Sequence, residues 1–165
     1  MGQSWEPFGL TRRLAEEAER PARAASQRSG ATAGRGSAGT AARAARPLSR
    51  RPTRKLVIVT CMDARVDPVA ALGLSLGDAN VIRNAGATVS DDVLRSLHLS
   101  QSVLGVRRAL LIGHTDCAGH ESDAAAESAL RDGLRRIRGA SAIPEGFGLE
   151  ALMYDVHTGA LSPLR

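Results

Sequence analysis

Apolar residues are scattered without period through residue 54 and then gather into short blocks separated by polar, helix-forming stretches. The first block, Lys55–Thr60 (KLVIVT), is β-branched and too short for a helix, which predicts a strand buried on both faces. Ala79–Arg83 (ANVIR), Ala109–Gly113 (ALLIG) and Ala151–Val156 (ALMYDV) predict three more strands, followed by a turn at His157–Gly159. Pro68–Leu74 predicts a short helix ended by Gly73 and Gly77. Ser90 reads as an N-cap, with Asp91 and Asp92 placed favourably in the first turn. Val93, Leu94, Leu97, Val103 and Leu104 give that helix an apolar face, and Gly105 stops it. Asp123–Arg138 is a polar helix ended by Gly139. Strand and helix alternate, so the expected class is α/β with a mainly parallel central sheet flanked by helices.

Charge divides the chain in two. Residues 1–55 hold 12 of the 22 basic and only 4 of the 17 acidic residues, so the positive balance belongs to the N-terminal third. Residues 20–54 are rich in Arg, Ala, Ser and Gly and contain no acid, a composition that cannot bury enough apolar surface to offset its ordering entropy. The expected division is a disordered tail over residues 1–54, with a short helix at Leu10–Glu19, and a folded domain over 55–165. The tail has no aromatic interleaving of the kind that stacks on bases, so it is read as solvated and nucleic acid is not expected as a partner. No apolar run approaches the roughly 20 residues of a membrane span, so no membrane partner is expected. No hydrophobic core of a secretory signal follows the N-terminus. With two cysteines and no disulfide-dense pattern, the expected compartment is the cytoplasm, with free or metal-bound thiolates.

The two cysteines carry the chemistry. Cys61 directly follows the first predicted strand, His114 directly follows the third, and Cys117 lies three residues on. Open α/β sheets bind ligands just beyond the carboxyl ends of their strands. If the first and third strands are neighbours, Cys61, His114 and Cys117 converge there. Two thiolates and one imidazole suit zinc, and three protein ligands leave the open fourth position of a catalytic site. Asp63 is the candidate for that position. Arg65 can hold it in a bidentate pair and so keep it off the metal; unpaired, Asp63 could close the site. His98, His120 and His157 show no partner pattern and are read as incidental.

The boxes Cys61-Met62-Asp63-Ala64-Arg65 and His114-Thr115-Asp116-Cys117 resemble those of the β-class carbonic anhydrases, C-x-D-x-R followed some 50 residues later by H-x-x-C. Arg83-Asn84-Ala85-Gly86 is similar to the R-N-A-G stretch that borders the site in that family. The likeness runs from about Lys55 to Leu161 and is strongest to the small mycobacterial-type members. It implies zinc on Cys61, His114 and Cys117, with Asp63 and Arg65 as the catalytic dyad. It implies that Asn84, Ala85 and Gly86 line the substrate pocket. It also implies a parallel sheet with a last edge strand near Ala151–Val156, and a homodimer or larger homo-oligomer. Residues 1–54 do not resemble the helical arm with which the family usually begins, and Ala118 stands where the family commonly has glycine after the second cysteine.

The expected activity is zinc-dependent, reversible hydration of carbon dioxide to bicarbonate and a proton, by attack of hydroxide generated at the metal. Two other readings use the same residues: a related zinc hydrolase acting on carbonyl sulfide or carbon disulfide, and a catalytically degenerate zinc domain with a basic tail. No nucleotide-binding motif is present.

Overall fold

The computed structural model describes residues 48–164. The expected helix over residues 10–19 and most of the expected tail lie outside them. The chain is anchored a little before the predicted domain start. Pro52 is buried, and Thr53 and Arg54 donate their backbone N–H groups to the carbonyls of Gly77 and Asp78.

Five strands form one sheet: β1 (Leu56–Cys61), β2 (Ala79–Asn84), β3 (Arg108–His114), β4 (Gly148–Tyr154) and β5 (Leu161–Pro163). Their order is β2-β1-β3-β4-β5. The first four are parallel and β5 is antiparallel to β4. Helix α1 (Pro68–Ala71) joins β1 to β2, α2 (Asp91–Ser102) joins β2 to β3, and α3 (Asp123–Arg138) joins β3 to β4. Every residue of β1 is buried, as a central strand covered on both faces requires. Successive side chains point to opposite faces. Val57, Val59, Ala109 and Leu111 therefore pack with Val93 and Leu97 of α2 and Leu130 and Ile137 of α3. Leu56, Ile58, Leu110 and Ile112 form a smaller core with Leu72 and Leu152 on the other face.

The helices carry the expected punctuation. The Ser90 hydroxyl accepts the Val93 N–H, and Ser122 caps α3 in the same way. Three arginines sit in the last turn of α3, facing the negative end of its dipole. α3 buries Ala126, Leu130, Gly133 and Ile137, a stripe narrow enough to be masked by its charged faces.

Four expectations need correction. The fourth strand begins at Gly148 and ends at Tyr154, because it pairs with β3 along its whole length, from Arg108 to His114. It is not the edge. Asp155 turns the chain back by accepting the N–H groups of His157 and Thr158, and β5 adds the true edge. Pro163, which cannot donate to a ladder, is tolerated there. α1 closes at Ala71 with Leu72 as its C-cap, and Val103 is the exposed C-cap of α2 and not part of its buried face.

Strand order reverses between β1 and β3, since β2 lies on one side of β1 and β3 on the other. In open α/β sheets that switch point is where ligands bind, beyond the carboxyl ends of the strands. The registers place Thr60 beside Ile112 and Cys61 beside Asn84, so β1, β2 and β3 all end at this crevice.

Candidate metal centre

Cys61 is the last residue of β1 and His114 the last of β3, while Cys117 lies in the loop between β3 and α3. All three are buried. One ligand atom from each lies within 4.8 Å of the others. The Sγ atoms of Cys61 and Cys117 are 3.8 Å apart. Two sulfurs each about 2.3 Å from a tetrahedral zinc would be separated by about 3.8 Å. The imidazole is oriented for the same purpose. Its Nδ1 lies 2.9 Å from the Thr115 carbonyl, which fixes Nδ1 as the N–H donor. Nε2 is then a bare lone pair, and among the described residues it is the buried side-chain nitrogen or oxygen without a partner. An unsatisfied buried acceptor beside two thiols is costly unless something electrophilic takes the lone pair. The donor set therefore fits a thiophilic divalent ion.

The backbone tunes the sulfurs. The Gly86 N–H points at Cys61 Sγ from 3.4 Å. Burial pushes the Cys61 thiol up, but the polar groups around its sulfur, the backbone of Asp63 and Gly86 among them, outweigh it and bring the pKa down to about 7. Cys117 is raised, chiefly by burial and further by the neighbouring Cys61, despite the Gly119 N–H. Without a cation between them, only one sulfur is readily charged.

Around these ligands the turn 85–87 and the loop after Cys117 interlock. Gly86 has φ +69, and its carbonyl accepts from His120 Nε2 at 2.9 Å. A Cβ on Gly119 would stand 3.0 Å from the Gly86 nitrogen, so the backbone approach needs glycine at 119 rather than at 118. His120 is thus a structural partner of the ligand turn and not incidental. His98 likewise contacts the Ala142 carbonyl through Nδ1. Asn84 uses its side chain to brace the turn, its Nδ2 donating to the Thr88 carbonyl and its Oδ1 accepting the Thr88 N–H. Arg83, the first residue of the R-N-A-G stretch, is given no role of its own by that likeness; it donates to the carbonyls of Cys61, Asp63 and Val66 and pins the loop after β1.

Asp63 and Arg65 form the expected fork. Arg65 Nε donates to Asp63 Oδ1 at 3.0 Å and Nη2 to Oδ2 at 2.8 Å, while the Arg65 backbone N–H also reaches Oδ1. The Arg65 guanidinium holds the Asp63 carboxyl well below the usual carboxylate range. In turn the carboxylates of Asp63 and Asp116 raise Arg65 above its ordinary value. Asp63 Oδ2 lies 4.0 Å from His114 Nε2, facing the space between the ligands. Beside Cys117 an open groove of about 540 Å³ is lined by polar side chains, among them Asp116, His120, Glu121, Asp155 and His157.

Fold and site together define an α/β protein with a buried Cys–His–Cys cluster at the switch point of its sheet and an Asp–Arg pair facing it. Known proteins narrow that class. The carbonic anhydrase family profile matches residues 56–145. Beta-carbonic anhydrase 1 of Mycobacterium tuberculosis is 37% identical over 139 residues, covering 70% of this chain and 85% of that protein. The crystal structure of carbonic anhydrase from Streptococcus mutans superposes with a TM-score of 0.67 at 32% identity, covering 73% of this chain and 87% of that one. A carbon disulfide hydrolase of Saccharolobus solfataricus is 47% identical over 64 residues, 39% of this chain and 31% of that protein. The chain belongs to the β-carbonic anhydrase family.

Proposed function

We propose that this protein catalyses the zinc-dependent, reversible hydration of carbon dioxide to bicarbonate and a proton. The observation that carries the reading is the unpartnered His114 Nε2, buried beside two sulfurs at ligand spacing and facing a carboxylate that an arginine holds in place. Cys61, His114 and Cys117 hold the metal. Zinc bound there supplies Lewis acidity, lowering the pKa of a water toward neutrality.

The chain's own residues do the rest. Asp63 is kept ionised by Arg65, so it presents a hydrogen-bond acceptor toward the ligand cluster at neutral pH. That oxygen orients the attacking water's O–H and thereby its lone pair. Arg65 occupies both Asp63 oxygens and so opposes capture of the metal by this carboxylate. Two thiolates would neutralise a divalent ion held there, making it a weaker Lewis acid than one held by three neutral imidazoles. Activity should therefore rise with pH.

Asn84, Ala85 and Gly86 border the substrate pocket in this reading, with Gly86 also serving Cys61. Residues 55–165 form the catalytic domain in this reading. A second copy of the chain is the proposed partner. Strand β2 is a parallel edge that leaves Val81 39% exposed, an edge that another copy can cover. The unpaired cysteines support a reducing, cytoplasmic setting. No helix among the described residues is long and apolar enough to cross a membrane.

The 64-residue match to a carbon disulfide hydrolase favours a second reading, hydrolysis of carbon disulfide or carbonyl sulfide with the same ligands. Metal analysis with stopped-flow carbon dioxide hydration, run beside assays on both sulfur substrates, separates the two. Bound zinc with rapid proton release from carbon dioxide supports the proposal. Zinc without carbon dioxide turnover, or no metal at all, rejects it.

A further inference from the structure

The dyad proposed above has a third member in this structure. Arg65 is gripped from its far side by Asp116. Nη1 donates to Asp116 Oδ2 at 2.8 Å, and Nη2 donates to the Asp116 carbonyl at 2.9 Å while also serving Asp63. Four of the five guanidinium N–H groups are thereby engaged, shared between two loops. Asp116 lies 51 residues from Arg65, in the loop that carries Cys117. Its backbone is in the left-handed region at φ +51, unusual for a residue other than glycine. That conformation is supported from α3: the Asp116 N–H donates to Asp123 Oδ1 at 2.8 Å, and Asp123 is the first residue of the helix.

The geometry points to Asp116, held by Asp123, as a positioning residue that fixes Arg65 as the clamp on Asp63 and so keeps the fourth position at the metal accessible. The inference rests on the proposed metal site. The Arg65 side chain is 43% exposed, so the fork with Asp63 alone leaves its far end in water. A long, rotamer-rich side chain gripped at one edge by its own i−2 neighbour is easily lost to solvent. Gripping the opposite edge from another strand's loop removes that freedom. It also ties the loop after Cys61 to the loop before Cys117, so the clamp and two of the ligands move together.

The test uses the full-length protein loaded with cobalt(II), whose visible spectrum reports the fourth ligand, and azide as a probe for an accessible coordination position. Asp116→Ala should keep its cobalt content but bind azide about tenfold more weakly, the scale of losing a supporting partner of a metal site. Its spectrum should shift toward that of a site closed by a carboxylate. Asp116→Asn, whose Oδ1 still accepts from Nη1, should restore most of the affinity. Asp123→Ala should weaken azide in the same direction but less, because it acts through the Asp116 backbone. The deciding comparison is a double-mutant cycle with Arg65→Ala. If Asp116 acts through Arg65, adding Asp116→Ala to Arg65→Ala changes azide binding no further; a purely structural role gives additive losses. Wild-type azide affinity in Asp116→Ala, or additivity in the cycle, overturns the inference. Should Asp116→Ala lose its cobalt, the Asp116→Asn and Asp123→Ala variants are put through the same cycle and judged by the same criterion. Cobalt and azide report on this clamp whichever substrate the protein turns over, so failure of the hydration assay leaves the result readable.

Discussion

Replacing Gly86 with alanine tests how far the fold itself shapes the ligand environment. Gly86 adopts φ +69, where a Cβ costs about 1–2 kcal/mol. The added methyl would stand 2.7 Å from His120 Nε2, too close for any real contact. The imidazole can retreat, but only by giving up its bond to the Gly86 carbonyl, about 0.5–1.5 kcal/mol. The two losses together come to about 1.5–3.5 kcal/mol. Gly105 provides the control. It has φ +74 with nothing within 4 Å of a built Cβ, so its alanine variant bears the backbone cost alone. At about 4 °C per kcal/mol for a domain of this size, Gly105→Ala should lower the melting temperature by about 4–8 °C and Gly86→Ala by about 6–14 °C, about 2–6 °C more than the control. Differential scanning calorimetry and urea unfolding, read at unchanged m-value, measure both. Because the Gly86 N–H supports Cys61 Sγ, the Gly86 variant should also release metal faster to a chelator, and the Gly105 variant should not. Equal losses in the two variants, or an unchanged rate of metal release, would refute the claim that the turn 85–87 is built around its glycine and its histidine.

Arg65→Ala should retain zinc by elemental analysis but lose about a hundredfold in carbon dioxide hydration, since the carboxylate it orients is left free to move. In metal-free protein one thiol should ionise near pH 7, followed by absorbance at 240 nm, and the other above the ordinary thiol range; Cys61→Ser should abolish the first step. The sign for stability follows. A Cys61 pKa depressed in the fold contributes stability that is present above the unfolded thiol's pKa and is lost as pH falls through about 7. Urea midpoints of Cys61→Ser should therefore lack the part of the pH dependence that the wild type shows over that window. Gly133→Ala should destabilise although alanine is the better helix former. Its Cβ would meet Val89 Cγ2 at 2.8 Å and Leu111 Cδ2 at 2.9 Å, and overpacking of about 1–3 kcal/mol exceeds the propensity gain of about 1 kcal/mol; a raised urea midpoint would contradict this.

The ligand trio is legible in the sequence because each ligand is covalently next to a feature that residue order exposes. Cys61 closes a β-branched run, and His114 follows a short apolar one. Only the adjacency of β1 and β3 has to be supplied. Asp63 and Arg65 are legible for the same reason, being two residues apart. Asp116 is not. Its contact with Arg65 needs the strand order, the register and a left-handed backbone residue all at once, and none of these leaves a mark in composition or periodicity. His120 escapes because its partner is a carbonyl on a distant turn. β5 escapes because three residues ending in Pro163 have no period to detect, and what makes them a strand is the hairpin that Asp155 starts.

Both turns at the crevice carry left-handed backbone: Gly86 at φ +69 and Ala87 at φ +54 on one, and Asp116 at φ +51 on the other. For the two non-glycine residues this conformation costs about 1–2 kcal/mol each, and unusual backbone persists only where the surroundings over-determine it. Here they do. Parallel strands with a buried centre end at the crevice, and side chains brace the turns beyond them: Asn84 on Thr88, Arg83 on the carbonyls of Cys61, Asp63 and Val66, and Asp123 on the Asp116 N–H. Metal affinity in this protein should therefore be more sensitive to changes that relax the turns, such as Gly86→Ala, than to changes of similar stability cost in the cores around Leu97 or Ile58. Two variants matched in melting temperature, one from each region, separate local geometry from global stability as the source of a tight site.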